Sequence, residues 1–355
     1  MLVTRTPDDE RQPVPILTPD QAASPTSETI HISVVVPTMR RPRLLARCLR
    51  ALLAQDLAPD RYEIVVVDDA ACDETAAQVA AFAAEAAPRG LAVRYIGMRG
   101  ARHGPAAARN AGWRAARGAI IAFTDDDCAP LPGWLRAGQA AFALDAAIDG
   151  VTGKIVVPLV GVPTDYERNA AQLEGAQFAT ANCFYRAKAL AAVGGFDERF
   201  ALAWREDSDL WFRLERMGAR LVRAENAIVV HPIRPARWGV SLSQQRKSMY
   251  NALLYKRHPT RYRERIQSAP PWRYYLTVGA LLVALGALLM ERRRIAATSG
   301  GLWLALTAAF CARRLWGTRR TPAHLAEMAV TSALIPPLAI YWRLRGALRF
   351  RVWFL

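Results

Sequence analysis

Several common devices are missing from this sequence, and each absence narrows the reading. The five cysteines (Cys48, Cys72, Cys128, Cys183 and Cys311) are scattered and odd in number, and none forms a C-x-x-C pair. That leaves no zinc-finger spacing and reads as reduced thiols of a cytosolic compartment. The turn after the first apolar strand is Pro37-Thr38-Met39-Arg40, not G-x-G-x-x-G, and no Walker A lysine loop follows. A dinucleotide-binding fingerprint and a P-loop are therefore excluded. Residues 1–30 are polar, with five prolines and Asp8-Asp9-Glu10, and no apolar stretch follows a basic start. No signal peptide is expected there, and the stretch reads as a disordered leader. From Arg261 onward there is no lysine and there are only 3 acidic residues against 15 arginines, so this tail carries +12 of the net +16. Basicity confined to a hydrophobic tail points to anionic lipid rather than nucleic acid. No stacking-aromatic motif argues for nucleic acid either.

What is present is an alternation of apolar strands and helical periodicities. Ile32 to Thr38 reads as a strand, and Leu44, Leu45, Cys48, Leu49, Leu52 and Leu53 mark one buried helical face behind Pro42. Tyr62 to Asp69 is a second strand ending in two carboxylates. An Ala-rich helix covers about Glu74 to Ala86, and a third strand about Leu91 to Ile96. Gly104 to Gly112 starts a helix with a proline in its first turn, ended by Gly118. Strand–helix alternation with continuous apolar runs predicts a mostly parallel sheet covered by helices on both faces. The fourth strand, Ala119 to Ala122, runs into Phe123-Thr124-Asp125-Asp126-Asp127-Cys128. Asp125 and Asp127 lie two apart, so on an extended backbone they share a side and offer hard oxygen ligands suited to Mg²⁺ or Mn²⁺. Ligands of open parallel sheets bind beyond the strands' carboxyl ends, where Thr38, Asp68-Asp69 and Asp125–Asp127 all fall.

Farther on, Gly150 to Val157 reads as a strand, and a helix about Ala187 to Val193 stops at Gly194-Gly195. Phe196 to Phe200 reads as a loop. Glu206-Asp207-Ser208-Asp209 opens a helix, where acids are ordinarily partners of the macrodipole. His231 ends the apolar run Ala227 to Val230.

Taken in order, "VVVPT", "EIVVVDDA", "GPAAARNAG", "IIAFTDDDC", "VTGKI", "ANCFYR", "GGFDERF" and "EDSDLWFRL" resemble a family 2 glycosyltransferase of the GT-A fold over roughly residues 31–232. The resemblance implies an enzyme that takes a nucleotide-activated sugar and transfers it with inversion. It places Thr38 and Asp69 at the nucleotide base, with Asp68 as their neighbour in the nucleotide-sugar site, and Arg109 and Asn110 near the nucleotide. It puts Asp125 at the ribose or a metal-bound water, Asp127 on the metal, His231 as a further metal ligand, Asp207 as general base and Glu206 as its orienting neighbour. Processive synthases carry Gln-x-x-Arg-Trp after the Glu-Asp element. Here the comparable stretch is Ser243-Gln244-Gln245-Arg246-Lys247-Ser248, so addition of a single sugar is expected.

The tail holds two uncharged apolar stretches, 275–290 and 295–312, closed by Arg292–Arg294 and by Arg313-Arg314. Both suit transmembrane helices flanked by interfacial aromatics and arginines. A third segment, 323–342, contains Glu327 and Pro336-Pro337 and is expected to lie on the cytoplasmic surface. The expected organisation is a leader (1–30), a GT-A domain (31–260) and a helical membrane region (261–355). The expected partners are a nucleotide-sugar donor, a glycan or lipid-linked acceptor and membrane lipid, with the catalytic domain cytosolic at the inner membrane if the source is bacterial. The competing expectation is a non-catalytic sugar-nucleotide-binding scaffold or regulator.

Overall fold

The computed structural model describes residues 32–100 and 103–354, so the expected leader lies outside the described residues. Within them the chain forms two compact units. A sheet unit comprises residues 32–158 and 172–232, and a helical unit comprises 159–171 and 233–354.

In the sheet unit, β1 (Ile32–Thr38), α1 (Pro42–Leu53), β2 (Tyr62–Asp68), α2 (Asp73–Ala86), β3 (Ala92–Gly97), α3 (Pro105–Ala115) and β4 (Ile120–Phe123) build the first half. β1, β2 and β4 are buried almost throughout, as their unbroken Val/Ile runs require. α1 begins at its proline and turns Leu45, Cys48, Leu49, Leu52 and Leu53 inward, the stripe its spacing predicts. Each such fully buried side chain is worth about 1.5–3 kcal/mol. β5 (Ala129–Pro130), α4 (Trp134–Leu144), β6 (Ile148–Val156), β7 (Cys183–Arg186), α6 (Ala187–Val193), α7 (Glu206–Arg216) and β8 (Arg220–Val230) complete the unit, while α5 (Asp165–Ala171) belongs to the helical unit.

The eight strands form one sheet in the order β3-β2-β1-β4-β7-β6-β8-β5. β3, β2, β1 and β4 are parallel as expected, and β6 and β8 are too. β7 is antiparallel to both β4 and β6, and β5 is antiparallel to β8, so the sheet is mixed. Strand order reverses at β1. Right-handed crossovers then set α1 and α2 on one face and α3 on the other. The approach of α3 depends on Gly112: a Cβ there would sit 2.4 Å from Val35 Cγ1. Gly112→Ala would push α3 off the sheet.

The helical unit contains α5, α8 (Val240–Gln244), a 3₁₀ stretch at Gln245–Met249, α9 (Tyr250–Arg257), α10 (Pro259–Arg265), α11 (Trp272–Leu289), α12 (Arg293–Leu315) and α13 (Pro322–Phe350). Three helices, α11, α12 and α13, are long and apolar enough to cross a membrane. The third segment is thus longer than expected: α13 runs 29 residues as one helix, with Pro336 and Pro337 inside it.

Candidate active site

The order reversal between β1 and β4 opens a crevice at their carboxyl ends, the place where doubly wound sheets bind ligands. Thr38 closes β1 there, and the acidic stretch follows β4 directly. The chain does not stay extended through these acids. It turns, with the Cys128 N–H donating to the Asp125 carbonyl at 3.1 Å. The shared side expected for Asp125 and Asp127 requires an extended backbone, so the turn removes its basis, and the three carboxylates part.

Asp126 turns back to β1, accepting from Thr38 Oγ1 at 2.8 Å and from Arg41 Nη1 at 3.2 Å. Burial pushes its carboxyl up to about 6, against the opposing pull of Arg41 and Thr38. The sequence carries no local sign of this pairing, because neither partner is near Asp126 in the chain. Asp125 instead accepts from Arg109 Nη2 at 2.7 Å.

Arg109, on α3, is only 3% exposed, and its other terminal nitrogen donates to Glu206 Oε1 at 3.0 Å. One guanidinium thus joins the end of β4 to the start of α7. Burial alone would lower its pKa, but Asp125 and Glu206 outweigh burial and hold it above the usual value. Glu206 is equally buried, and its Oε2 has no hydrogen-bond partner. Burial pushes its carboxyl up to about 7; Arg109 opposes this and the charge of Asp207 adds to it. Asp207 is half-buried, and its Oδ1 accepts from the Ser208 N–H at 2.6 Å. The residue before this pair, Arg205, has a left-handed backbone (φ 75°), with its guanidinium 4.6 Å from the Trp204 ring centroid. A non-glycine residue held in that region beside two acids is strain placed at a site.

Asp127 is 3% exposed and its Oδ1 lies 3.5 Å from His231 Nε2. The two are brought together because the His231 N–H donates to the Val156 carbonyl, which fixes the chain just beyond β8. Cys128 joins them: one ligand atom from each of Asp127, Cys128 and His231 lies within 4.8 Å of the others. Burial, with Asp125 and Asp127 adding, raises the Cys128 thiol well above its ordinary value, so it stays protonated. Two ligands of one ion, bonded at about 2.0–2.2 Å, stand about 3 Å or slightly more apart. The Asp127–His231 pair therefore fits a divalent cation, with one hard oxygen and one imidazole nitrogen.

The remaining expected residues divide. Asp69 lies at the edge, where its carboxylate accepts from the Gly104 N–H at 3.0 Å and contacts His103 Nδ1 at 3.0 Å. That contact raises the His103 pKa. Asp68 is fully buried and holds the following turn together, accepting from the Ala70 and Cys72 N–H groups and from Tyr95 Oη. Asn110 is likewise engaged internally. It donates to the Phe196 carbonyl and to Glu198 Oε1, and it accepts from the Phe196 N–H and Trp113 Nε1. A Cβ on Gly195 would strike the Asn110 amide at 2.5 Å, so α3 and the Gly194–Phe196 turn pack as one unit.

A family model described as Glycosyl transferase family 2 matches residues 33–192, and one described as Glycosyl transferase family group 2 matches residues 121–312. The chain is 28% identical over 223 residues to glycosyltransferase AglE of Haloferax volcanii, covering 59% of this chain and 69% of that one. It is 26% identical over 257 residues to validoxylamine A glucosyltransferase of Streptomyces hygroscopicus, covering 62% of this chain and 53% of the relative, about half its length. In backbone it is similar to a mannosyltransferase of Pyrobaculum calidifontis solved in complex with GDP-Man and Mn²⁺. That likeness has a TM-score of 0.54 at 22% identity and covers 96% of this chain and 90% of that one, which speaks to the fold. The two family models together span the sheet, its acidic edge and the first apolar helices, and the chain belongs to the family 2 glycosyltransferases.

Proposed function

We propose that this glycosyltransferase is metal-dependent and inverting, and that it works at the cytosolic face of a membrane on a glycan or lipid-linked acceptor. The observation that carries the reading is the Asp127–His231 pair at the sheet edge, in the same unit as Asp207 at the opening of α7. In this reading Thr38 and Asp69 line the nucleotide pocket, with Asp68 and Asn110 as the scaffold behind it. Asp125 faces the ribose, oriented by Arg109. Asp127 and His231 would hold the ion, and their mixed oxygen–nitrogen set suits Mn²⁺ somewhat better than Mg²⁺. The chemistry such an ion supplies is to offset the charge of the departing nucleoside diphosphate. Asp207 removes the acceptor hydroxyl's proton as that oxygen attacks the anomeric carbon. Inversion needs this one base and no covalent intermediate. Glu206, tied to Arg109, positions the base. The three apolar helices support attachment to a membrane.

The test is a panel of nucleotide sugars with Mn²⁺ on detergent-solubilised protein, following nucleoside-diphosphate release and donor binding. Asp127→Ala is expected to lose metal-dependent donor binding while its thermal midpoint stays near wild type. Normal donor binding by this variant in the presence of metal would remove Asp127 from the ion site.

A further inference from the structure

The helical unit has three helices that could each cross a bilayer, yet their packing treats them differently. α11 and α12 pack on each other as a hairpin that turns at Glu291, a residue with a left-handed backbone (φ 55°). The open end of this hairpin is marked by Tyr274, whose ring lies 5.6 Å from that of Phe310, and by Arg314 in the last turn of α12. Toward the turn, Leu288, Leu289, Met290 and Ile295 are all exposed.

α13 meets polar groups at this open end and stays with the short helices along its length. Near its start, His324 Nε2 accepts from the Asp165 N–H, and Glu327 Oε1 accepts from the Gly239 N–H at 2.7 Å. In its third turn, Thr331 and Ser332 accept from Arg314 Nη1. Toward its end, Arg343 donates to Gln267 Oε1 at 3.3 Å. Gly346 lies so close to Met249 that a Cβ would sit 2.4 Å from that carbonyl oxygen, and Lys256 Nζ donates to the Phe350 carbonyl at 2.8 Å. A third span would leave α8–α10 behind within two or three turns. α13 does not, and its 29 residues extend about 43 Å against a hydrocarbon core of about 30 Å.

The opposite side of α13 is apolar and uncovered. Val330, Leu334, Tyr341, Leu344 and Leu348 are exposed and fall on one helical face, while Met328, Thr331, Ile335 and Gly346 are buried on the other. The chain between β6 and α5 adds to this end of the unit. The Arg319 N–H donates to the Pro163 carbonyl at 2.8 Å, which ties that loop, with Val160 89% exposed, to the turn after α12, where Trp316 is 81% exposed. Nine arginines (273, 313, 314, 319, 320, 343, 345, 349 and 351) belong to the segments at the open end and to α13, against three at the hairpin turn. That bias sets the open end on the cytoplasmic side and suits anionic headgroups.

Building on the membrane attachment proposed above, we infer that only the α11–α12 hairpin crosses the bilayer. α13 lies in the plane of the cytoplasmic leaflet, its Val330–Leu348 face in lipid, with Val160 and Trp316 dipping beside it. The membrane is therefore a binding partner along the whole helix.

The test uses full-length protein with Cys72→Ser and Cys311→Ser, reconstituted in vesicles of phosphatidylcholine and phosphatidylglycerol. Single cysteines replacing Leu334, Leu344, Leu348 and Val160 carry a nitroxide, and collision with oxygen against a water-soluble nickel chelate reads depth. Leu282 and Leu304 serve as hairpin reference sites. The expected result is a common shallow depth for the α13 sites, about 5–10 Å below the headgroups, with Leu282 and Leu304 near the centre. A depth that passes through the centre between Leu334 and Leu348 would overturn the in-plane helix while leaving membrane attachment intact. Water exposure of Leu282 and Leu304 would instead overturn the attachment and this inference with it. A nitroxide at Val160 in water would remove the loop from the lipid surface. A membrane-impermeant maleimide should label Trp353→Cys from the same side as Lys188→Cys. Labelling from opposite sides again means a third span.

Discussion

Arg109 in the sheet unit and Arg314 in the helical unit are equally buried, at 3% and 2% exposed, and each is clamped by groups from distant parts of the chain. Their surroundings differ. Every guanidinium nitrogen of Arg314 has a partner: Asp165 Oδ2 takes two, and Thr331, Ser332 and Ser241 take the rest. Around Arg109 the matching is incomplete. Its own Nε and Glu206 Oε2 have no partner, and Asp125 keeps 28% of its side chain exposed. A fully matched buried network fixes structure, whereas buried polar atoms left unmatched at a crevice are a destabilising feature that function explains. Burial of charge alone would not have separated the two clusters.

The widest break in this comparison is expected at Asp207, beside the incompletely matched cluster. Asp207→Asn keeps size and most hydrogen bonding but cannot take a proton. Turnover is expected to fall about 10²–10⁴-fold, or about 3–5 kcal/mol of barrier, with donor affinity and thermal midpoint close to wild type. A macrodipole role alone forecasts the reverse: normal turnover and about 0.3–1 kcal/mol of lost stability. Measuring turnover, donor binding and thermal midpoint on one preparation decides between them.

Arg314 should show the opposite signature. Arg314→Ala leaves Asp165 with only Arg168 as its ion-pair partner and takes the donor from Thr331 and Ser332, and is expected to cost about 1.5–3 kcal/mol of stability. Denaturation in detergent reads this loss. If Arg314→Ala unfolds as wild type does, the network is not structural and the contrast with Arg109 fails.

The smallest of these effects is expected at Asn110, which tests whether the sheet unit also holds a purely structural polar residue. Asn110→Ala leaves the Phe196 N–H and carbonyl unmatched and should cost about 1–3 kcal/mol of stability. The KM for the donor should be nearly unchanged at a temperature where the variant is folded. A large rise in donor KM without loss of stability would return Asn110 to the nucleotide pocket that its motif suggested.

Much of this was legible in the chain. The apolar runs marked β1, β2 and β4 because a strand buried on both faces needs apolar residues at most positions. Pro42 and Pro105 marked helix starts, where a missing N–H costs nothing. The crevice followed from those strands, since Asp68-Asp69 and Asp125–Asp127 were read at strands' carboxyl ends. What the acids do there was less legible. Asp125, Asp126 and Asp127 face Arg109, Thr38 with Arg41, and His231 respectively, because the chain turns where alternation assumed a strand. Asn110 looked like a ligand contact and is engaged in packing the Gly194–Phe196 turn.

By itself the sequence determined where the strands and helices of the first half lie, which edge of the sheet carries the acids, and that the last quarter of the chain is apolar and basic. These depend on neighbours within about four residues, through hydrogen-bond spacing, proline and glycine geometry, and hydrophobic period. Only the tertiary structure decided which buried charge meets which. Arg109 and Glu206 are 97 residues apart, and Arg314 and Asp165 are 149 apart. Several carboxylates competed for each guanidinium at equal local cost. Packing chose among them, because a buried charge is tolerated only where the folded chain brings its partner within about 3 Å.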